Sequence, residues 1–207
     1  MVDARPARSP LRVAVLVSGE GTTAVALADA FRRGEADAEV VVVVADRPGI
    51  PALERAQEAG LATTVLLTRG VPDERWAADL DEQLRSRCVG LVVLAGFLRR
   101  VPDGFLERWS GRVINIHPSL LPRHGGPGKY GARVHAEVLA DGDAETGATI
   151  HIVTPVVDSG PILWQGRIAV GAARTTDELR ELVRPLEIRG LLEVVRRFAA
   201  GRPDPPD

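Results

Sequence analysis

Three stretches of the chain are almost purely apolar and rich in β-branched residues: 11–19 (LRVAVLVSG), 38–46 (AEVVVVVAD) and 89–97 (VGLVVLAGF). Short runs without polar alternation are the pattern of strands covered on both faces, so they predict the centre of a parallel sheet. Between them lie segments with helical character: Thr22 to Arg33, Pro51 to Ala59 after a turn-like Arg-Pro-Gly, and Asp73 to Arg87 with Leu80 and Leu84 four apart. Strand-helix alternation of this kind predicts an α/β fold built on a doubly wound, mostly parallel twisted sheet, Rossmann-like in outline. A further strand, Arg112 to His117, is stopped by Pro118, and Ala148 to Thr154 with Pro161 to Val170 predicts a C-terminal antiparallel strand pair. A long final helix is predicted from Thr175 or Thr176, capped ahead of Glu178, to about Ala199, with a kink at Pro185. The ends, 1–10 and 201–207, are rich in proline and charge without periodic apolar positions, which predicts flexible tails around a single domain spanning 11–200.

Composition narrows the class of function. Of 207 residues 45% are hydrophobic, enough for one sizeable core, and 26 basic against 28 acidic side chains leave a formal net charge of -2. That balance gives no electrostatic footprint for nucleic acid, and Trp76, Trp109 and Trp164 are too scattered for a base-stacking platform. The longest apolar stretch, Val89 to Leu98, is about half of what a membrane-spanning helix needs. The single cysteine, Cys88, has apolar flanks and reads as a small buried hydrophobe, which with the absence of disulfide pairing fits a cytoplasmic protein.

The first strand runs into Gly19-Glu20-Gly21-Thr22-Thr23-Ala24, which fits the G-x-G-x-x-G/A pattern of dinucleotide folds, with Asp46 at the end of the second strand as a possible ribose ligand. Taken alone, that would argue for an NAD(P)-binding oxidoreductase. The physical content is broader, because glycines and the free N–H groups of a helix start attract any phosphate, so Gly19 to Thr23 reads as a phosphate cradle and Asp46 as a turn residue.

Asn115 and His117 close the strand before Pro118 and, two residues apart, share one face of the sheet at its carboxyl edge. An amide donor and a titratable imidazole side by side suit a reaction in which a carbonyl becomes tetrahedral while a proton moves. Asp158, in the loop Val157-Asp158-Ser159-Gly160-Pro161, is placed where a turn could aim it inward. His124, His135 and His151 lack the spacing of a metal-ligand set and read as structural or surface residues, so no metal is expected.

The segments SGEGTT, LAGFLR, NIHPSLLP, ETGATIHIV and VDSGPIL occur in this order, and over roughly 11–200 the chain resembles the phosphoribosylglycinamide formyltransferase family, a branch of the folate-dependent formyltransferases. The resemblance implies a Rossmann-like formyltransferase fold and transfer of a formyl group from 10-formyltetrahydrofolate to the primary amine of glycinamide ribonucleotide. It implies Asn115, His117 and Asp158 as the catalytic trio, with a protonated His117 whose charge Asp158 favours. Arg75, Leu98, Arg99, Arg100, Val101, Thr154, Pro155, Val156 and Val157, together with Asn115 and Asp158, match the folate side. Gly21, Thr22, Thr23 and Glu187 match the ribonucleotide side. The partners implied are small molecules, with no nucleic acid and no membrane, for a monomer or homodimer. Where the family's glycine loop reads G-N-G-S-N this chain has Glu20, whose charge opposes a phosphate unless it points away. Another amine, on a sugar or a natural-product intermediate, is the alternative acceptor.

Overall fold

The computed structural model describes residues 9–201. Seven strands form one sheet in the order β3-β2-β1-β4-β5-β6-β7, comprising β1 (Leu11–Val17), β2 (Ala38–Ala45), β3 (Thr63–Val65), β4 (Leu91–Leu94), β5 (Val113–His117), β6 (Glu145–Ile152) and β7 (Ile162–Ala169). The first five pair in parallel, whereas β6 runs antiparallel to β5 and β7 antiparallel to β6. The helices are α1 (Thr22–Arg32), α2 (Pro51–Glu58), α3 (Asp73–Arg85), α4 (Asp103–Arg108), α5 (Ala132–Ala140) and α6 (Thr176–Ala199).

The unbroken apolar runs have the cause that their composition suggests. In β1, Val13, Val15 and Val17 pack with α1, α2 and the C-terminal half of α6, while Ala14 and Leu16 pack on the other face with Trp76, Leu80 and Leu84 of α3 and Phe105 of α4. These five of the seven positions of β1 are sealed from solvent, so a polar residue at any of them would lose its water without gaining a partner. The strand order reverses between β1 and its neighbours β2 and β4, which opens a crevice at the carboxyl ends of the central strands. The glycine loop after β1 and the end of β5 both lie on that carboxyl edge.

Several boundaries are tighter than the sequence predicts, and three elements were not anticipated. Strand β3 is only three residues (TTV), α4 is six, and α5 follows a glycine-rich approach that carries no helical period. Helix α6 begins with the expected capping box, in which Thr175 Oγ1 accepts from Glu178 N and the Glu178 carboxylate accepts from Thr175 N. Pro185 does not interrupt it, and the helix runs for 24 residues. Cys88 departs from expectation: it is exposed, at φ 51°, in the turn from α3 to β4, because its apolar neighbour Val89 takes the buried place instead. The tails expected at 1–10 and 201–207 lie outside the described residues at 1–8 and 202–207. No helix among the described residues is long and apolar enough to cross a membrane.

Candidate active site

Asn115 faces β4 on one side and β6 on the other, with Leu94 and His151 as its cross-strand neighbours. Two residues on, His117 stands opposite Thr149. The register therefore puts His151 beside Asn115, and Asn115 Nδ2 lies 3.1 Å from His151 Nε2. His151 Nδ1 lies 2.9 Å from its neighbour's carbonyl, Ile152 O, to which it donates, leaving Nε2 to accept from the amide. One Asn115 amide proton is thus taken and the other is free for a ligand. Sequence reasoning set His151 aside as structural; only strand pairing reveals its place in the site.

His117 is 3% exposed. Its Nε2 donates to the backbone carbonyl of His124 at 2.9 Å, and Nδ1 points at Asp158, 3.6 Å from Oδ2, a charge contact too long for a hydrogen bond. Asp158 is held at φ 54°, in the left-handed region, by the DSGP turn. Its Oδ2 accepts from Gly126 N at 2.9 Å, and Oδ1 lies 3.5 Å from His151 Nε2. Burial pushes the Asp158 pKa up, but the His151 ring beside it, the Gly126 N–H and the neighbouring His117 ring outweigh it and the net shift is downward, so Asp158 is an anion.

The protonation state of His117 corrects the expectation. Burial lowers its pKa, and although Asp158 and the His124 carbonyl both favour the charged form, they do not overcome desolvation. The imidazole is therefore neutral at pH 7, protonated at Nε2 and open at Nδ1. Asp158 makes proton uptake at Nδ1 easier without completing it in advance. Replacing Asp158 with Asn is accordingly expected to move the His117 titration midpoint still lower, followed by imidazole NMR; an unchanged or raised midpoint would contradict the pairing.

The glycine loop keeps its predicted shape. Gly21 caps α1 at φ 71° with no side-chain hydrogen bond, and a Cβ there would fall 2.6 Å from Ala52 of α2, so only glycine fits. Thr22 and Thr23 open the helix. Glu20 turns away toward α2, where Arg55 binds its carboxylate and also donates to its carbonyl oxygen at 2.7 Å. Asp46 is buried and paired with Arg47, whose guanidinium also donates to Ser18 O at 2.6 Å. Glu187 sits on α6, which packs against α1, and burial pushes its carboxyl up to about 7 against the opposing pull of Arg184.

On the other flank, Ser18 Oγ accepts from Leu98 N at 2.9 Å, tying the loop after β4 to the end of β1. Leu98, Val156 and Val157 expose apolar side chains. Arg100 bridges the loop after β4 to the 154–157 segment by donating to Pro155 O at 3.2 Å, and Thr154 Oγ1 donates to Val156 O within that segment. Arg99 is turned inward, over the Trp76 ring and onto Thr68 O and Asp73, and Val101 is packed in the core. Arg75 is exposed on α3 and paired with Asp79. The fold therefore gathers Asn115, His117 and Asp158 in one place, and Arg99 and Val101 hold the loop after β4 from beneath. His135, on α5, is buried with its pKa pushed down to about 4 by burial, with Arg180 and His117 adding to the effect. No group of three or more His, Cys, Asp or Glu among the described residues is arranged to hold a metal ion.

The sequence profile described as formyl transferase matches residues 11–195. Phosphoribosylglycinamide formyltransferase of Escherichia coli is 33% identical over 193 residues, an alignment covering 93% of this chain and 89% of that protein. The trifunctional purine biosynthetic protein adenosine-3 of Gallus gallus is 35% identical over 92% of this chain, which spans only 19% of that longer relative. Among solved structures, glycinamide ribonucleotide transformylase 1 from Symbiobacterium toebii superposes with a TM-score of 0.86 at 36% identity, over 94% of this chain and 90% of that one.

Proposed function

The chain belongs to the formyl transferase family, and from that membership we propose that residues 11–200 form one domain that moves a formyl group from 10-formyltetrahydrofolate to the amine of glycinamide ribonucleotide. The observation that carries the reading is the meeting of Asn115, His117 and Asp158 at the end of β5: an amide donor, a neutral buried imidazole and an anion within one cluster. The folate supplies the activated formyl group. The exposed apolar side chains of Leu98, Val156 and Val157 suit its flat ring, and the cradle from Gly21 to Thr23 suits the acceptor's phosphate.

Each residue then has a distinct task. The free amide proton of Asn115 stabilises negative charge gathering on the formyl oxygen as the amine adds. His117 accepts the proton that the amine must lose, at the open Nδ1, and returns it to the departing folate nitrogen. Asp158 stabilises the imidazolium in between, and His151 keeps Asn115 from rotating. Glu187, with a pKa raised to about 7, is a carboxyl able to donate or accept a hydrogen bond on α6, the helix that packs against α1.

The test is direct: purified protein with 10-formyltetrahydrofolate and glycinamide ribonucleotide should yield the formylated ribonucleotide, and NADH should not bind. Transfer to a different amine alone would redirect the acceptor, and tight NADH binding without folate binding would sink the reading. Glu20 bears on the acceptor as well. Because its carboxylate is 62% exposed and paired with Arg55, away from the cradle, Glu20→Asn is expected to change the KM for the ribonucleotide by no more than about twofold. A several-fold fall in that KM, with the folate KM constant, would show that the charge does reach the phosphate.

A further inference from the structure

The turn between β5 and α5 supplies two backbone groups to the trio: the carbonyl of His124 to His117 Nε2 and the N–H of Gly126 to Asp158. What keeps this turn in place is not obvious from the trio itself. His124 adopts φ 55°, a left-handed conformation that glycine takes more readily than any residue with a Cβ, so the backbone's own preference does not fix the turn. Its side chain does. The imidazole is 6% exposed, and Nε2 meets Asp143 Oδ2 at 2.7 Å, Asp143 being 5% exposed at the corner between α5 and β6. Nδ1 faces Glu137 and Asp141 at 3.7 and 3.9 Å, while Arg123 also pairs with Asp143 and Lys129 with Glu137. An open pocket of about 430 Å³ adjoins the turn, lined in part by Arg123, His124, Asp143, Gln165 and Arg167, so this side of the segment is not held by close packing.

We propose that His124, clamped by Asp143, is a positioning residue for the formyl-transfer reaction: it fixes the turn so that its own carbonyl holds the proton of His117 on Nε2 and leaves Nδ1 open toward Asp158. The chemical content is a choice of tautomer. Without a fixed acceptor at Nε2, the neutral His117 ring can carry its proton on Nδ1, where it would donate to Asp158 and could no longer accept from the amine. The clamp therefore acts through His117 and touches no substrate. The inference rests on His117 being the proton acceptor, as proposed above, and its first readout does not depend on turnover.

That readout is the pair of His117 ring nitrogens, followed by long-range ¹H–¹⁵N correlation spectra in the full chain. The parent should show the Nε2–H tautomer. His124→Gly, which keeps the backbone conformation accessible and removes only the ring, should shift His117 toward a mixture of tautomers and lower kcat about tenfold, with both KM values within about twofold. Asp143→Ala should reproduce this pattern, and Asp143→Asn, which retains an oxygen for His124, should stay close to the parent. If His124→Gly does not fold, the two Asp143 variants carry the comparison. Unchanged His117 nitrogens in His124→Gly and Asp143→Ala, with or without a loss of thermal stability, would overturn the proposal. Shifted nitrogens with undiminished kcat would support the clamp and count instead against His117 as the proton acceptor.

Discussion

Alanine at Asn115 or at His117 is expected to slow formyl transfer by at least about a hundredfold while leaving the protein folded. A hundredfold corresponds to about 2.7 kcal/mol of barrier, the scale on which a single oxyanion donor or proton acceptor acts. The two losses should differ in character. Asn115→Ala removes a donor that strengthens only as charge develops on the formyl oxygen, so kcat should fall with little change in either KM. It also leaves His151 Nε2 without its amide partner, so the neighbouring imidazole gains freedom to meet Asp158. His117→Ala empties a site that is 3% exposed and removes the ring that faces Asp158, yet Gly126 N still holds the carboxylate. Steady-state kinetics with circular dichroism as the control for folding would check both, and near-normal turnover in either variant would remove that residue from the mechanism.

Gly160→Ala is expected to do comparable damage from a residue that touches no substrate. A Cβ at Gly160 would lie 1.8 Å from the carbonyl oxygen of Ile152 and 3.1 Å from Thr154 Cγ2, so the backbone of the DSGP turn must move. The obstacle is main chain of β6, which cannot swing aside as a side-chain tip could. Overpacking of this kind costs about 1–3 kcal/mol, and the displacement falls on the turn that holds Asp158 at its positive φ. Both melting temperature and kcat should drop, the latter by at least about tenfold. A variant with parental kcat would mean that the Asp158 carboxylate keeps its place when the turn beneath it shifts.

How far the sequence reveals this protein depends on the range of the interaction involved. The strands β1 and β2 are legible because both faces of their C-terminal portions are covered and the residues there report the same apolar environment. Asn115 and His117 are legible as a pair because strand alternation alone puts them on one face. His151 is not, since its place beside Asn115 depends on the register of β6 against β5, a relation between residues 36 apart. Strand β3 is too short for a period to show, and its pairing with β2 is what makes it a strand. The neutral state of His117 is hidden for a related reason: the neighbouring carboxylate can be anticipated from motifs, but the desolvation that outweighs it belongs to the packed whole. Glu20 shows the same limit, because its partner Arg55 comes from a separate helix 35 residues away.

Cys88, displaced to the surface by its buried neighbour, has a practical corollary. It is the one thiol in the chain and precedes β4, at the amino-terminal edge of the sheet, opposite the edge where β5 delivers Asn115 and His117. A maleimide fluorophore would therefore attach at a single site remote from the reacting groups, turning the native sequence into a ready-made reporter for ligand titrations without engineered cysteines.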